Sequence, residues 1–137
     1  MTCGILIVGG HAVAYHGYPR TTGEIDFFVE VSEENAAKLE KVLAAFGFGS
    51  LGLTAKDFLE PGTIIQPGYP PNRIDLVTSI SGVTFAEAWE RRDCARVEGL
   101  PMIFVDRQTL LANKAASGRP KDLADIAALS KSSPGDP

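Results

Sequence analysis

Short apolar runs alternate along the chain with segments of helical spacing. Ile5-Leu6-Ile7-Val8 is unbroken apolar sequence, so residues 4–8 read as a buried strand, and Gly9-Gly10 breaks it. Residues 11–16 read as a short helix stopped by Gly17 and Pro19. Thr21-Thr22-Gly23 is a loop, and a second strand follows over 25–30 with Glu24 at its entrance. Ser32 is placed to cap a helix, with Glu33 and Glu34 in the first turn, where the helix dipole favours them. Ala36, Leu39, Val42, Leu43 and Phe46 keep helical spacing up to Gly47.

The Gly- and Pro-rich stretch 48–72 predicts a short helix near 55–59 and a strand at 63–66, then a loop marked by Pro67-Gly68 and Pro70-Pro71. Arg73-Ile74-Asp75-Leu76-Val77 is the next strand. Thr84-Phe85-Ala86-Glu87 fits a capping box, with Phe85, Ala88 and Trp89 on one helix face and Trp89 in the core. Strands are expected near 94–97 and 101–105. Asp106 is placed to cap a helix running to about Ser117, and Gly118 ends it. Pro120 suits the first turn of a last helix whose apolar face is Leu123, Ile126 and Ala127. The whole is a mixed α/β or α+β domain spanning 1–137, a small mixed sheet flanked by helices, with 131–137 as a flexible tail.

Composition changes this picture little. The chain has 137 residues, is 45% hydrophobic and 22% charged, and carries a net charge of −4. These are the proportions of an ordinary globular domain, and the acidic balance argues against broad nucleic-acid binding. Cys3 and Cys94 have no metal-ligand spacing, so neither a zinc site nor a disulfide is expected. No apolar run approaches a membrane span, and the expected location is cytoplasmic.

The chemistry lies in three carboxylates. Strands have a period of two, so Glu24 and Asp26 point to one face, and Asp75 interrupts an apolar run where a charge needs a cleft or a partner. If the Asp75 strand lies beside the first two acids, the three converge next to a glycine turn. Such a set suits Mg²⁺ or Mn²⁺ together with a polyphosphate, the arrangement of two-metal phosphoryl transfer. The competing reading puts Glu24 and Asp26 on the solvent face of an edge strand. Gly9 and Gly10 would let the backbone approach a phosphate. Arg20, Arg73, Lys114, Arg119 and Lys121 are candidate phosphate contacts, although Lys121 and Asp125 also have the spacing of a plain helix pair. His11, near a helix start, suits a neutral hydrogen-bonding role.

Gly9-Gly10, thirteen residues, then Glu24-Ile25-Asp26-Phe27 resembles the signature of the DNA polymerase beta-like nucleotidyltransferase superfamily. The segments Val8-Gly9-Gly10-His11-Ala12-Val13-Ala14-Tyr15-His16-Gly17, Asn113-Lys114 and Gly118-Arg119-Pro120-Lys121-Asp122-Leu123-Ala124-Asp125 resemble its small bacterial members, the minimal nucleotidyltransferases and abortive-infection toxins. The resemblance covers roughly residues 4–130. It implies a nucleotidyltransferase fold in which an acceptor hydroxyl attacks the α-phosphate of a nucleoside triphosphate such as ATP. Glu24 and Asp26 would be metal ligands and Asp75 the third acid, as ligand or base. Gly9, Gly10, His11, Arg20, Lys114 and Lys121 would serve the nucleotide.

Two departures stand out. The first acid is Glu rather than Asp, and the chain begins close to its first strand, where relatives carry a preceding helix. The N-terminal helix is therefore expected to be absent, leaving part of the sheet for a protein partner or a second copy to cover. The expected function is Mg²⁺-dependent transfer of a nucleoside monophosphate to a hydroxyl of a protein, RNA or small molecule. The alternative is a catalytically weak binding module of toxin–antitoxin type that acts with a partner protein. An antibiotic nucleotidyltransferase ranks last, because the chain is too short for the extra helical domain.

Overall fold

The apolar runs pair side by side. The computed structural model describes residues 4–18, 24–45, 52–67 and 73–131. Cys3, Arg20, the loop 21–23, Phe46, Gly47, Pro70 and Pro71 fall outside the described residues, as do residues 132–137. Lys131, expected in the tail, is instead the last residue of a helix.

Among the described residues the order is β1 (Ile5–Val8), α1 (Gly9–Tyr15), β2 (Ile25–Val29), α2 (Glu33–Ala45), a 3₁₀ turn (Ala55–Phe58), β3 (Ile64–Ile65), β4 (Ile74–Val77), α3 (Phe85–Glu90), β5 (Asp93–Val97), β6 (Leu100–Phe104), α4 (Arg107–Ser117) and α5 (Pro120–Lys131). The architecture is mixed α+β. Its six strands form one mixed sheet ordered β3-β4-β2-β1-β6-β5. β1 runs antiparallel to β2 and parallel to β6, and β2 runs parallel to β4. No helix among the described residues is long and apolar enough to cross a membrane.

The central position of β2 follows from its sequence. Ile25, Phe27 and Val29 make one face apolar throughout, and Phe28 follows Asp26 on the other, so the strand needs apolar cover on both sides of its later half. One side packs Leu6, Val8 and Phe28 with Ala12, Val13, Ala88, Leu110 and Leu129. The other packs Val29 and Leu76 with Ala36, Leu39, Leu43 and Phe58 from α2 and the 3₁₀ turn. Trp89 is half-buried against the first cluster, with the Arg92 guanidinium 4.2 Å from its ring centre.

Local signals explain most boundaries. The Ser32 hydroxyl accepts the Asn35 N–H at 3.1 Å. Asn35 is buried, and its amide holds Gly4 and Glu30, fastening α2 to the ends of β1 and β2. Thr84 and Glu87 close both arms of the capping box at 3.1 and 3.2 Å. Gly118 adopts φ 65°, a left-handed conformation, and donates its N–H to Lys114 O, ending α4.

Four expectations need correction. Gly9 and Gly10 belong to α1 itself, so the chain turns from strand to helix without an intervening loop. Asp106 occupies the cap position of α4, but its side chain makes no capping bond. Val42 is 43% exposed, because the buried stripe of α2 runs through Ala36, Leu39 and Leu43 and leaves Val42 at its edge. In α5 the buried residues are Asp122, Asp125 and Leu129, whereas Leu123 is 54% exposed. The reason is a cation on the neighbouring helix: Lys114 of α4 is itself buried and draws both acids inward.

Candidate functional site

Register assembles the acids. Asp26 and Asp75 are direct partners in the parallel β2–β4 ladder, so their side chains leave the sheet on the same face. Glu24 precedes Asp26 by two residues and shares that face. Glu24, Asp26 and Asp75 each offer an oxygen within 4.8 Å of the others. The edge-strand reading fails, because β2 lies between β4 and β1. Val8 pairs with Asp26 across β1, which brings Gly9 against the acids.

Gly9 is required there for two reasons. Its φ is 67°, and a Cβ at this position would stand 2.1 Å from Asp26 Oδ2. Any side chain would displace the carboxylate as well as strain the backbone.

Like charges this close repel by about 3 kcal/mol per pair at the effective dielectric of a protein surface. Two effects relieve the repulsion. Arg73 Nη2 lies 2.8 Å from Glu24 Oε1, and its Nε donates to Asp75 Oδ1 at 3.1 Å. Asp26 takes the second route: burial, followed by the charge and hydrogen bond of Asp75 and the charge of Glu24, raises its pKa above the ordinary value of 3.8. Lys121 opposes that rise, which places its charge near Asp26. Arg73 is thus a counter-ion of the acid cluster, where the sequence had suggested a phosphate contact.

A cavity of about 340 Å³ opens beside this cluster. Gly9 and Asp26 line it together with Asn113, Lys114, Arg119 and Asp122 from α4, α5 and the turn between them. Lys114 is not a free phosphate contact. Its Nζ lies 2.9 Å from Asp125 Oδ2 and 3.3 Å from Asp122 Oδ1, and all three side chains are at most 5% exposed. Asp125 is therefore engaged by α4, not merely a surface partner of Lys121. Asp122 is held well below the usual carboxylate range, first by hydrogen bonds from Arg119 and then, against the cost of burial, by Ser117 and Lys114. Arg119 stands at the mouth with its side chain 67% exposed.

The structure therefore gathers Gly9, Glu24, Asp26 and Asp75, with the charges of Lys121 and Arg119 close enough to act on Asp26. Gly10 sits in the first turn of α1. His11 Nδ1 is buried without a hydrogen-bond partner, so the role expected of that ring is not filled by this nitrogen. Sequence reasoning missed the anchoring role of Asp122 and Asp125. The available signal was their spacing, which puts both acids on the stripe that ends at Leu129.

The donor set fits a hard divalent cation. The three carboxylates outnumber the Arg73 guanidinium that pairs with two of them, their oxygens are within reach of one ion, and the missing side chain of Gly9 lets the Asp26 carboxylate lie close against the backbone.

Two consequences can be measured. Gly9→Ala is expected to cost at least about 1–2 kcal/mol of stability from the backbone alone, seen as a lowered urea midpoint, and to weaken Mn²⁺ binding. An unchanged midpoint would contradict the close approach. Because the folded pKa of Asp26 is raised, the folded state holds the proton more tightly than the unfolded chain. Stability is then lost as pH rises from 3.8 through the folded value. In chelator, Asp26→Asn is expected to raise Tm at neutral pH and to lose that advantage at pH values below 3.8. A lower Tm at neutral pH would oppose this.

No family model matches the chain, and a comparison with curated proteins finds no match either.

Proposed function

We propose that the protein is a nucleotidyltransferase with a divalent cation held by Glu24, Asp26 and Asp75. The observation that carries this reading is the convergence of the three carboxylates within 4.8 Å beside a glycine that cannot be replaced without displacing one of them. The mixed sheet flanked by helices is consistent with the nucleotidyltransferase fold. Bound there, Mg²⁺ or Mn²⁺ supplies Lewis-acid stabilisation of charge on the phosphate oxygens.

The chain's own residues supply the rest. Gly9 and Asp26 line the cavity that would take the phosphate chain. Arg119 and Lys121 offer positive charge close to Asp26. Glu24 and Asp26 would be the main holders of the cation, and Asp75, the third acid of the same site, would keep a carboxylate oxygen to accept the proton of the attacking hydroxyl. The new bond joins that oxygen to the α-phosphorus, and pyrophosphate leaves.

One observation favours a second reading. Arg73 already gives Glu24 and Asp75 a cation, as befits a domain that keeps the architecture and binds a partner protein without turnover. The same experiment separates the two. In the enzyme reading, a nucleoside triphosphate raises Tm only when Mg²⁺ or Mn²⁺ is present; saturation a hundredfold above Kd stabilises by about 2.7 kcal/mol. Asp26→Asn would then lower pyrophosphate release by at least about a hundredfold while the fold persists. No nucleotide-dependent shift with either metal, or normal turnover by the variant, rejects it.

A further inference from the structure

The acids of α5 have no part in the reaction just described, yet they are the most deeply buried charges near the site. Asp125, Lys114, Asp122 and Arg119 form a chain of alternating sign that begins in the interior and ends at the cavity. Only the last member is exposed. Asp122 takes Arg119 side-on: Nε donates to Oδ2 at 2.7 Å and Nη2 to Oδ1 at 3.2 Å. The backbone N–H of Arg119 also donates to Asp122 Oδ2, at 3.2 Å. A guanidinium is a rigid planar fork, so this pairing consumes one edge and leaves the N–H bonds of the other edge to a second anion.

We propose that Asp122 is a positioning residue for phosphate recognition, presetting Arg119 so that its remaining edge receives a polyphosphate lying between α5 and the acid cluster. The ligand class rests on the nucleotidyl-transfer reading, whereas the positioning follows from the ion chain alone. Three features support it. Asp122 cannot relocate, because Lys114 and the Arg119 backbone hold it within a tightly packed helix pair. A preset guanidinium loses less side-chain freedom on binding than a solvated one. Asp26, Arg119 and Asp122 line the same cavity, and the charge of Arg119 acts on Asp26, so a ligand touching the acids through a cation would also meet Arg119.

A purely structural staple between α4 and α5 would bury the same charges. A double-mutant cycle separates the two roles. The probes are Mg²⁺–tripolyphosphate in excess Mg²⁺, measured by calorimetry, and Mn²⁺ alone, measured by electron paramagnetic resonance. Circular dichroism confirms folding. Arg119→Gln and Asp122→Asn are each expected to weaken tripolyphosphate binding about tenfold, and the double variant no more than Arg119→Gln alone. Mn²⁺ affinity stays at the wild-type value throughout.

Should Asp122→Asn fail to fold, Arg119→Lys serves in its place. It keeps the exposed charge but cannot pair side-on, and it too is expected to lose about tenfold. Additive losses, or Arg119→Lys binding like wild type, would overturn the positioning role while leaving the acid site standing. A wild-type protein that binds Mn²⁺ but not tripolyphosphate would overturn it as well. A wild-type protein that binds neither would remove the nucleotidyl-transfer reading along with it.

Discussion

Crowding of like charge is the constraint around which this molecule is arranged. Asp26 and Asp75 are held opposite each other by a parallel strand register, and Glu24 shares their face. Hydrophobic residues on both sides of β2 fix that register, because a slip of one residue would turn Phe28 out of its core. The acids therefore cannot separate to relieve their repulsion. The relief comes from Arg73, which spans Glu24 and Asp75, and from the positive charge of Lys121 near Asp26, whose pKa is nevertheless raised. Carboxylates crowded in this way are under an electrostatic tension that a divalent ion would relieve.

The α4–α5 pair solves a different electrostatic problem. Lys114, Asp122 and Asp125 are taken almost wholly out of water, where unpaired charges would be costly, and each finds a partner of opposite sign. Buried pairs of this kind add little net stability but define geometry strictly, since removal of one partner strands the other. Here the geometry defined is the relation of α4 to α5, and with it the place of Arg119 and Lys121 relative to the acids. Packing of Leu110 and Leu129 secures the same helix pair from below.

Much of this was legible in the sequence, for physical reasons that differ by element. The period of a strand aligned Glu24 with Asp26, and the interruption of an apolar run singled out Asp75. The Thr84–Glu87 box was local, and both of its bonds form. What could not be read depended on partners distant along the chain. The α5 stripe looked apolar through Leu123, but a buried lysine on α4 selected Asp122 and Asp125 instead. Arg73 looked like a ligand for phosphate, yet the register places it between two acids of its own chain. Asp106 carries a side chain fit to cap α4 and leaves one oxygen buried and unbonded; nothing in the structure explains that choice.

The central claim is that positions 24, 26 and 75 form one cation site beside Gly9. Anomalous diffraction at the manganese edge from crystals grown with Mn²⁺ tests it most directly. The expected result is a peak at about 2.1–2.2 Å from carboxylate oxygens of Asp26 and at least one of Glu24 and Asp75. A map without a peak there, with the Arg73 guanidinium still spanning Glu24 and Asp75 at saturating Mn²⁺, would contradict it.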